Sequence, residues 1–150
     1  HVLRAEKGFI IVGQDTDGSM TPADMNMDWI VGKNKAFSFI GQRSLSRSDT
    51  LRDNRKQLVG LKTIDPNIVL PEGAQIVSDP KQPIPMSMQG HVTSSYYSVN
   101  MGHSIALAVV KGGLNRLGDT VYCPAADGAT VPAQIVSSVF YDPKGERQNV

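Results

Sequence analysis

From residue 57 onward the chain is cut into short apolar runs by proline, glycine and aspartate, and this punctuation limits its fold more than any other feature. The breaks fall at Pro66, at Pro71 with Gly73, between Pro80 and Pro85, at Gly112 with Gly113, at Gly118 with Asp119, and at Asp127 with Gly128. Proline fixes φ, glycine accepts positive φ and aspartate caps its own turn, so each break ends one extended segment and starts the next. The runs between them cover residues 57–63, 74–78, 85–97, 104–111, 120–123 and 130–139. Short strands with turns at this spacing predict an all-β sandwich or barrel, here a six-stranded antiparallel barrel. Asp127-Gly128 suits a two-residue hairpin that pairs the last two strands. Pro132 has no N–H to give and is expected at an edge or a bulge.

The residues before this region read differently. Thr21-Pro22 is a helix start, because threonine can cap free N–H groups and proline fits the first helical position. A short helix over 22–26 is expected, then a strand over 28–32 (DWIVG) and a short helix over 39–45. Residues 43–56 (RSLSRSDTLRDNRK) carry five basic and two acidic residues without an aromatic, as in a solvated helix end or connector. The organisation expected is therefore mainly β: a short α/β piece over 1–45, a connector over 46–56 and a barrel over 57–150. Residues 2–7 read as the end of an element whose beginning lies upstream, so a fragment is expected, with a loosely packed start.

Composition bounds the function. With 150 residues, 40% of them hydrophobic, the chain can bury a core without disulfides or metal. A net charge of +1 leaves no basic footprint for a nucleic-acid backbone. No apolar run approaches a membrane span, and the single cysteine, Cys123, fits a reducing compartment, so cytoplasm is the default. Asp15-Thr16-Asp17-Gly18 opens like a calcium loop, but Met20 and Asn26 stand where that loop needs glycine and glutamate. His91 and His103 lack a second ligand pair for zinc. Ser94 or Cys123 with a histidine could make a nucleophile and base, yet no elbow motif surrounds any serine, and a plain strand face of hydroxyls is the simpler reading. No glycine-rich phosphate loop appears. The chain carries no self-contained catalytic motif and no metal site. Trp29, Tyr96, Tyr97, Phe140 and Tyr141 could stack on a planar ligand or fill a core.

The order of short motifs resembles the carboxy-terminal part of the aminomethyltransferase family, typified by the glycine cleavage T-protein. The matching residues are Leu3-Arg4-x-Glu6-x-Gly8, Gly13-x-Asp15-x-Asp17, Thr21-Pro22, Trp29-x-x-Gly32-Lys33, Phe39-Ile40-Gly41, Val59-Gly60-Leu61, Gly90-x-Val92-Thr93-Ser94 and Ala106-x-Ala108. Within the family the details are most similar to the α subunits of heterotetrameric sarcosine oxidases, through residues 3–18, 79–83, 90–96, 110–113 and 140–143. T-proteins usually have tyrosine where this chain has Val12, which points to the oxidase branch.

The resemblance implies the rest. Such oxidases demethylate sarcosine at flavin, giving glycine, peroxide and a one-carbon unit taken by tetrahydrofolate. Tetrahydrofolate would be bound in this region, whereas NAD, FAD and a covalent FMN would belong to other parts of the complex. The partners implied are folate and the other oxidase subunits, without nucleic acid or membrane. Trp29, Tyr96, Tyr141 and Arg147 are the folate-binding candidates, and Trp29, the 92–95 strand, Phe140 and Tyr141 should meet at the seam between the first region and the barrel. Arg147 could pair with a carboxylate of the folate glutamate tail, unless residues 145–150 are a mobile end or Glu146 takes its place. The other reading is a non-catalytic barrel that closes the subunit and contacts its partners.

Overall fold

The computed structural model describes residues 1–125 and 128–149. Six strands form one antiparallel sheet: β1 Lys56–Thr63, β2 Gln75–Ile76, β3 Gly90–Ser98, β4 His103–Lys111, β5 Thr120–Pro124 and β6 Thr130–Val136. Their order across the sheet is β2-β3-β4-β1-β6-β5. The sheet rolls until its two ends meet, but no ladder closes it. A single antiparallel bridge joins Val77 to Tyr122, with both N–H···O bonds at 2.9 Å. Five of the six expected strands keep most of their length, and the second shrinks to two residues plus that bridge. The third starts at Gly90 rather than at residue 85, and the sixth stops at Val136 rather than at 139.

Strand β4 shows why the sequence alternates poorly where the fold is most regular. Ala106, Ala108 and Val110 face the barrel interior with Val59, Leu61, Ile76, Val92, Val121 and Ile135. Ile105, Leu107 and Val109 face outward, yet are equally buried, because Ala5, Met25, Met20, Met27 and Phe140 cover them. A strand buried on both faces reads as a continuous apolar run. Gly60 belongs to the same layer: a Cβ there would lie 2.4 Å from the Ser137 carbonyl and 2.7 Å from the Phe140 ring. Only hydrogen fits beneath that ring.

The first region departs from expectation. Helix α1, Val2–Glu6, packs on β3 and β4 with Ala5 fully buried, so the start of the chain is tightly held rather than loose. Residues 22–26 make a turn and no helix. The Asp24 carboxylate accepts from both the N–H and hydroxyl of Thr21, and Asn26 takes φ +60°, a left-handed conformation that ends helical winding. Residues 28–32 are not a strand but open with a 3-10 turn, Asp28–Ile30, whose hydrogen bonds are local: Ile30 N–H to Met27 and Val31 N–H to Asp28. No neighbouring strand offers them a ladder. The third element is present but shifted, as a 3-10 helix at Gln42–Ser46 entered through Gly41 at φ +90°.

Pro132 sits inside β6, which is not an edge strand. It lies one position beyond the Thr63–Ala133 pair, where its carbonyl still accepts the Ile64 N–H at 3.0 Å, so its missing N–H removes only the reciprocal bond at the very end of the β1 ladder. β5 and β6 pair antiparallel as expected. Asp127 of the expected hairpin lies outside the described residues.

Candidate functional site

Helix α1 carries Arg4 and Glu6 on the side that meets β3, and these two side chains organise the seam. Arg4 donates to the Phe9 carbonyl (3.1 Å), the Asp15 carboxylate (2.5 Å), Ser94 Oγ (2.7 Å) and the Tyr96 hydroxyl (3.2 Å). Its guanidinium carbon stands 5.7 Å from the centre of the Tyr96 ring. Its Nε is buried with no hydrogen-bond partner among the described residues.

Asp15 is the other half of this clamp. It accepts from the Ile11 N–H (2.8 Å), from Thr93 Oγ1 and from Ser94 Oγ (2.7 Å), as well as from Arg4. Two consecutive strand residues normally point to opposite faces. Thr93 and Ser94 reach one carboxylate because the register of β3 against β4 slips between Val92 and Ser94, a bulge that re-aims the hydroxyls. Burial alone would raise the Asp15 pKa, but the bonds from Thr93, Ile11, Ser94 and Arg4 hold it below the ordinary carboxylate value. Ser94 is thereby fully committed, to Asp15, Arg4 and Gln14, and none of these partners is a histidine. The Cys123 thiol is buried, which pushes its pKa up to about 12, so it stays protonated.

Glu6 ties α1 to the far end of the sheet and to the tail. Its carboxylate accepts from Ser98 Oγ (2.6 Å) and Asn100 Nδ2 (2.9 Å), and its carbonyl accepts the N–H groups of Phe140 and Tyr141, both at 2.9 Å. Lys7 Nζ donates to the Asp142 carbonyl at 2.7 Å and pairs with its carboxylate at 3.3 Å. Residues 140–148 are therefore folded back onto α1. At this corner Arg147 donates to the Tyr141 hydroxyl at 2.5 Å and lies 5.0 Å from the centre of its ring. A surface pocket of about 270 Å³ opens there, lined by Glu6, Lys7, Asn100, Tyr141 and Arg147 among others.

The four candidates thus separate. Tyr141 and Arg147 touch, and Tyr96 lies on the same helix-covered face through Arg4. Trp29 is 82% exposed, in the surface turn at Asp28–Ile30, and does not enter the seam. Phe140 does, against Gly60 and the outer core. Arg4, Glu6 and Lys7 were not singled out as site residues from sequence. The available signal is three charges, Arg4, Glu6 and Lys7, set among apolar residues, the first two within the motif already quoted.

Residues 56–142 match the family described as the glycine cleavage T-protein C-terminal barrel domain. The chain belongs to this family. Beyond the barrel, 99% of the chain is 45% identical to a sarcosine oxidase subunit alpha from Corynebacterium sp. strain U-96. It is 32% identical, over 93% of its length, to an aminomethyltransferase from Nostoc sp.. It spans only 15% of the first of these relatives and 35% of the second. The fold matches the crystal structure of the glycine cleavage system aminomethyltransferase T from Bartonella henselae with a TM-score of 0.75, at 22% identity, over 95% of this chain and 38% of that one. The backbone fold is therefore shared over 95% of this chain, and the sequence is more similar to the oxidase subunit than to the transferase.

Proposed function

We propose that this chain is the folate-side end of a sarcosine oxidase α subunit. In the whole assembly sarcosine would be oxidatively demethylated to glycine and peroxide, with the one-carbon unit passed to tetrahydrofolate. The observation that carries the reading is the 45% identity to an oxidase α subunit across 99% of the chain. On this reading residues 1–45 end the folate-binding domain, 46–56 connect, and 57–150 form the barrel domain. NAD, FAD and covalent FMN belong to other parts of the complex, in the cytoplasm.

The tail corner fits one end of a folate. Arg147 is exposed and uses one donor on Tyr141, which leaves its fork free for a carboxylate of the glutamate tail. Lys7 adds positive charge but is held by Asp142. Tetrahydrofolate, when bound, accepts the one-carbon unit; the role of this chain is to fix its tail through Arg147, with Tyr141 as a flat wall. Tyr96 belongs to the same face through Arg4, and Trp29 lies apart from it. The reading of the chain as a lid and interaction module draws on a different region, where Trp29, Phe37 and Ile40 stand exposed.

The test is Arg147→Ala in the whole oxidase, measured by equilibrium binding of a non-reactive reduced folate. Loss of a charge-assisted contact of about 1–2 kcal/mol weakens binding ~5- to 30-fold. Unchanged folate affinity removes Arg147 from the site. A parallel loss of sarcosine-driven flavin reduction would instead mark damage across subunits.

A further inference from the structure

The end of the sheet remote from the tail corner holds an electrostatic arrangement that the folate reading leaves unused. Lys56 opens β1, Lys111 closes β4, and the ladder sets them directly opposite each other. Opposed residues of an antiparallel pair share one face with Cβ atoms about 4.5–5.5 Å apart, and like charges in that relation disfavour the sheet. Both lysines keep step with Leu58 and Val109, so they lie on the outer face beside the N-terminal segment. Among the described residues neither ammonium group has a hydrogen bond or an ion pair.

Two of the nearby carboxylates are already ion-paired, while Asp17, which feels the charge of Lys56, and Asp53, which lines the adjoining pocket with Lys111, form no ion pair among the described residues. Asp24 is held by Arg55, Asp49 is shared by Arg52 and Arg55, and Asp17 accepts from the N–H and hydroxyl of Ser19. The lysines line an open pocket of about 360 Å³ with Arg52, Asn54 and Arg55, in which Asp49 is the only carboxylate. The positive field is felt next door. Burial first, and then the charge of Lys56, lower the pKa of His91, against a weaker opposing pull from Asp17.

We propose that the Lys56–Lys111 pocket is an anion site for a phosphate dianion, free or carried on a small phosphorylated molecule. Two unpaired ammonium groups match two negative charges, which a single carboxylate would not supply. Asn54 adds a neutral donor. Lysine serves such groups as a point charge rather than a planar fork. An occupant here would also offset the cross-strand repulsion.

Per-lysine acetylation of the intact protein, read by mass spectrometry at fixed ionic strength, tests the site with inorganic phosphate and with glycerol phosphate. At a probe concentration about twice its Kd the unoccupied fraction falls ~threefold, and labelling of Lys56 and Lys111 should fall by the same factor. Exposed Lys81 should label unchanged. Protection by inorganic phosphate alone restricts the site to the free ion, and protection by both probes assigns it to the phosphoryl group. In Lys111→Met, protection of Lys56 should disappear. The proposal is overturned by equal protection from chloride, by no protection at either lysine, by Lys56 protection that survives Lys111→Met, or by protection from an acidic peptide but not from phosphate.

Discussion

Two stretches outside the strands, residues 1–25 and residues 28–54, are both poor in regular structure and carry both apolar and charged residues. The first is bound to the barrel and the second lies largely at the surface. Residues 1–25 bury Ala5, Glu6, Asp15, Asp24 and Met25, and each of the three carboxylates finds donors far along the chain, on β3 or at Arg55. Residues 28–54 expose Trp29, Phe37, Ile40 and Leu51, and the ion pairs Asp28–Lys33 and Asp49–Arg52 lie in solvent. Hydrophobic content does not separate them. What fixes a segment without ladders is a set of buried acceptors answered from distant strands, since an unanswered buried carboxylate would be too costly to keep.

Removing a partner from one stretch or the other should break this comparison most visibly. Asp15→Ala leaves the partly buried Arg4 without its counter-charge and should cost about 3 kcal/mol in urea unfolding. Asp28→Ala, which removes an exposed pair, should cost no more than about 1 kcal/mol. Equal losses would show that the clamp is ornamental. Gly60→Ala should cost about 1–3 kcal/mol, because its Cβ meets Ser137 and the Phe140 ring, and the same ring seats the tail.

Acid should sharpen the difference next. Asp15 and Asp24 both titrate below the ordinary value of 3.8 in the folded protein, each because hydrogen bonds outweigh the opposing effect of burial. The unfolded chain then binds more protons than the folded one as pH falls below that value. Their stabilisation is complete above the ordinary carboxylate pKa and is lost as pH drops through the depressed folded values. The urea midpoint should fall on acidification, and Asp15→Asn should flatten that dependence. The smallest effect belongs to Trp29→Ala, which should change stability by no more than about 0.5 kcal/mol because that ring is 82% exposed.

The barrel was legible from sequence because its punctuation is local: Gly118 with Asp119 before β5 and Pro66 after β1 act on their own neighbours. Where tertiary contact decides, local signals failed. Thr21-Pro22 does start a turn, but Arg55 claims the Asp24 carboxylate and Asn26 turns left-handed to bond the Leu58 carbonyl, so no helix follows. The 28–32 run has the residues of a strand without a neighbour to pair with. Of the site, Tyr141 with Arg147 could be read from proximity in the chain. The Arg4–Asp15–Ser94 cluster could not, because it joins residues 90 positions apart through a bulge that no local pattern marks.

Hydrogen exchange of the full-length protein, with and without a non-reactive reduced folate, tests most directly whether the clamped face is the proposed folate side. Without folate, the Phe140 and Tyr141 amides, bonded to the Glu6 carbonyl, should exchange as slowly as those of β3, while the Ile30 and Val31 amides should exchange fast. Added folate should slow the amides of residues 141–148 and leave residues 28–51 unchanged. Protection confined to 28–51, with 141–148 unaffected, would contradict the account and move folate contact to the exposed Trp29 surface.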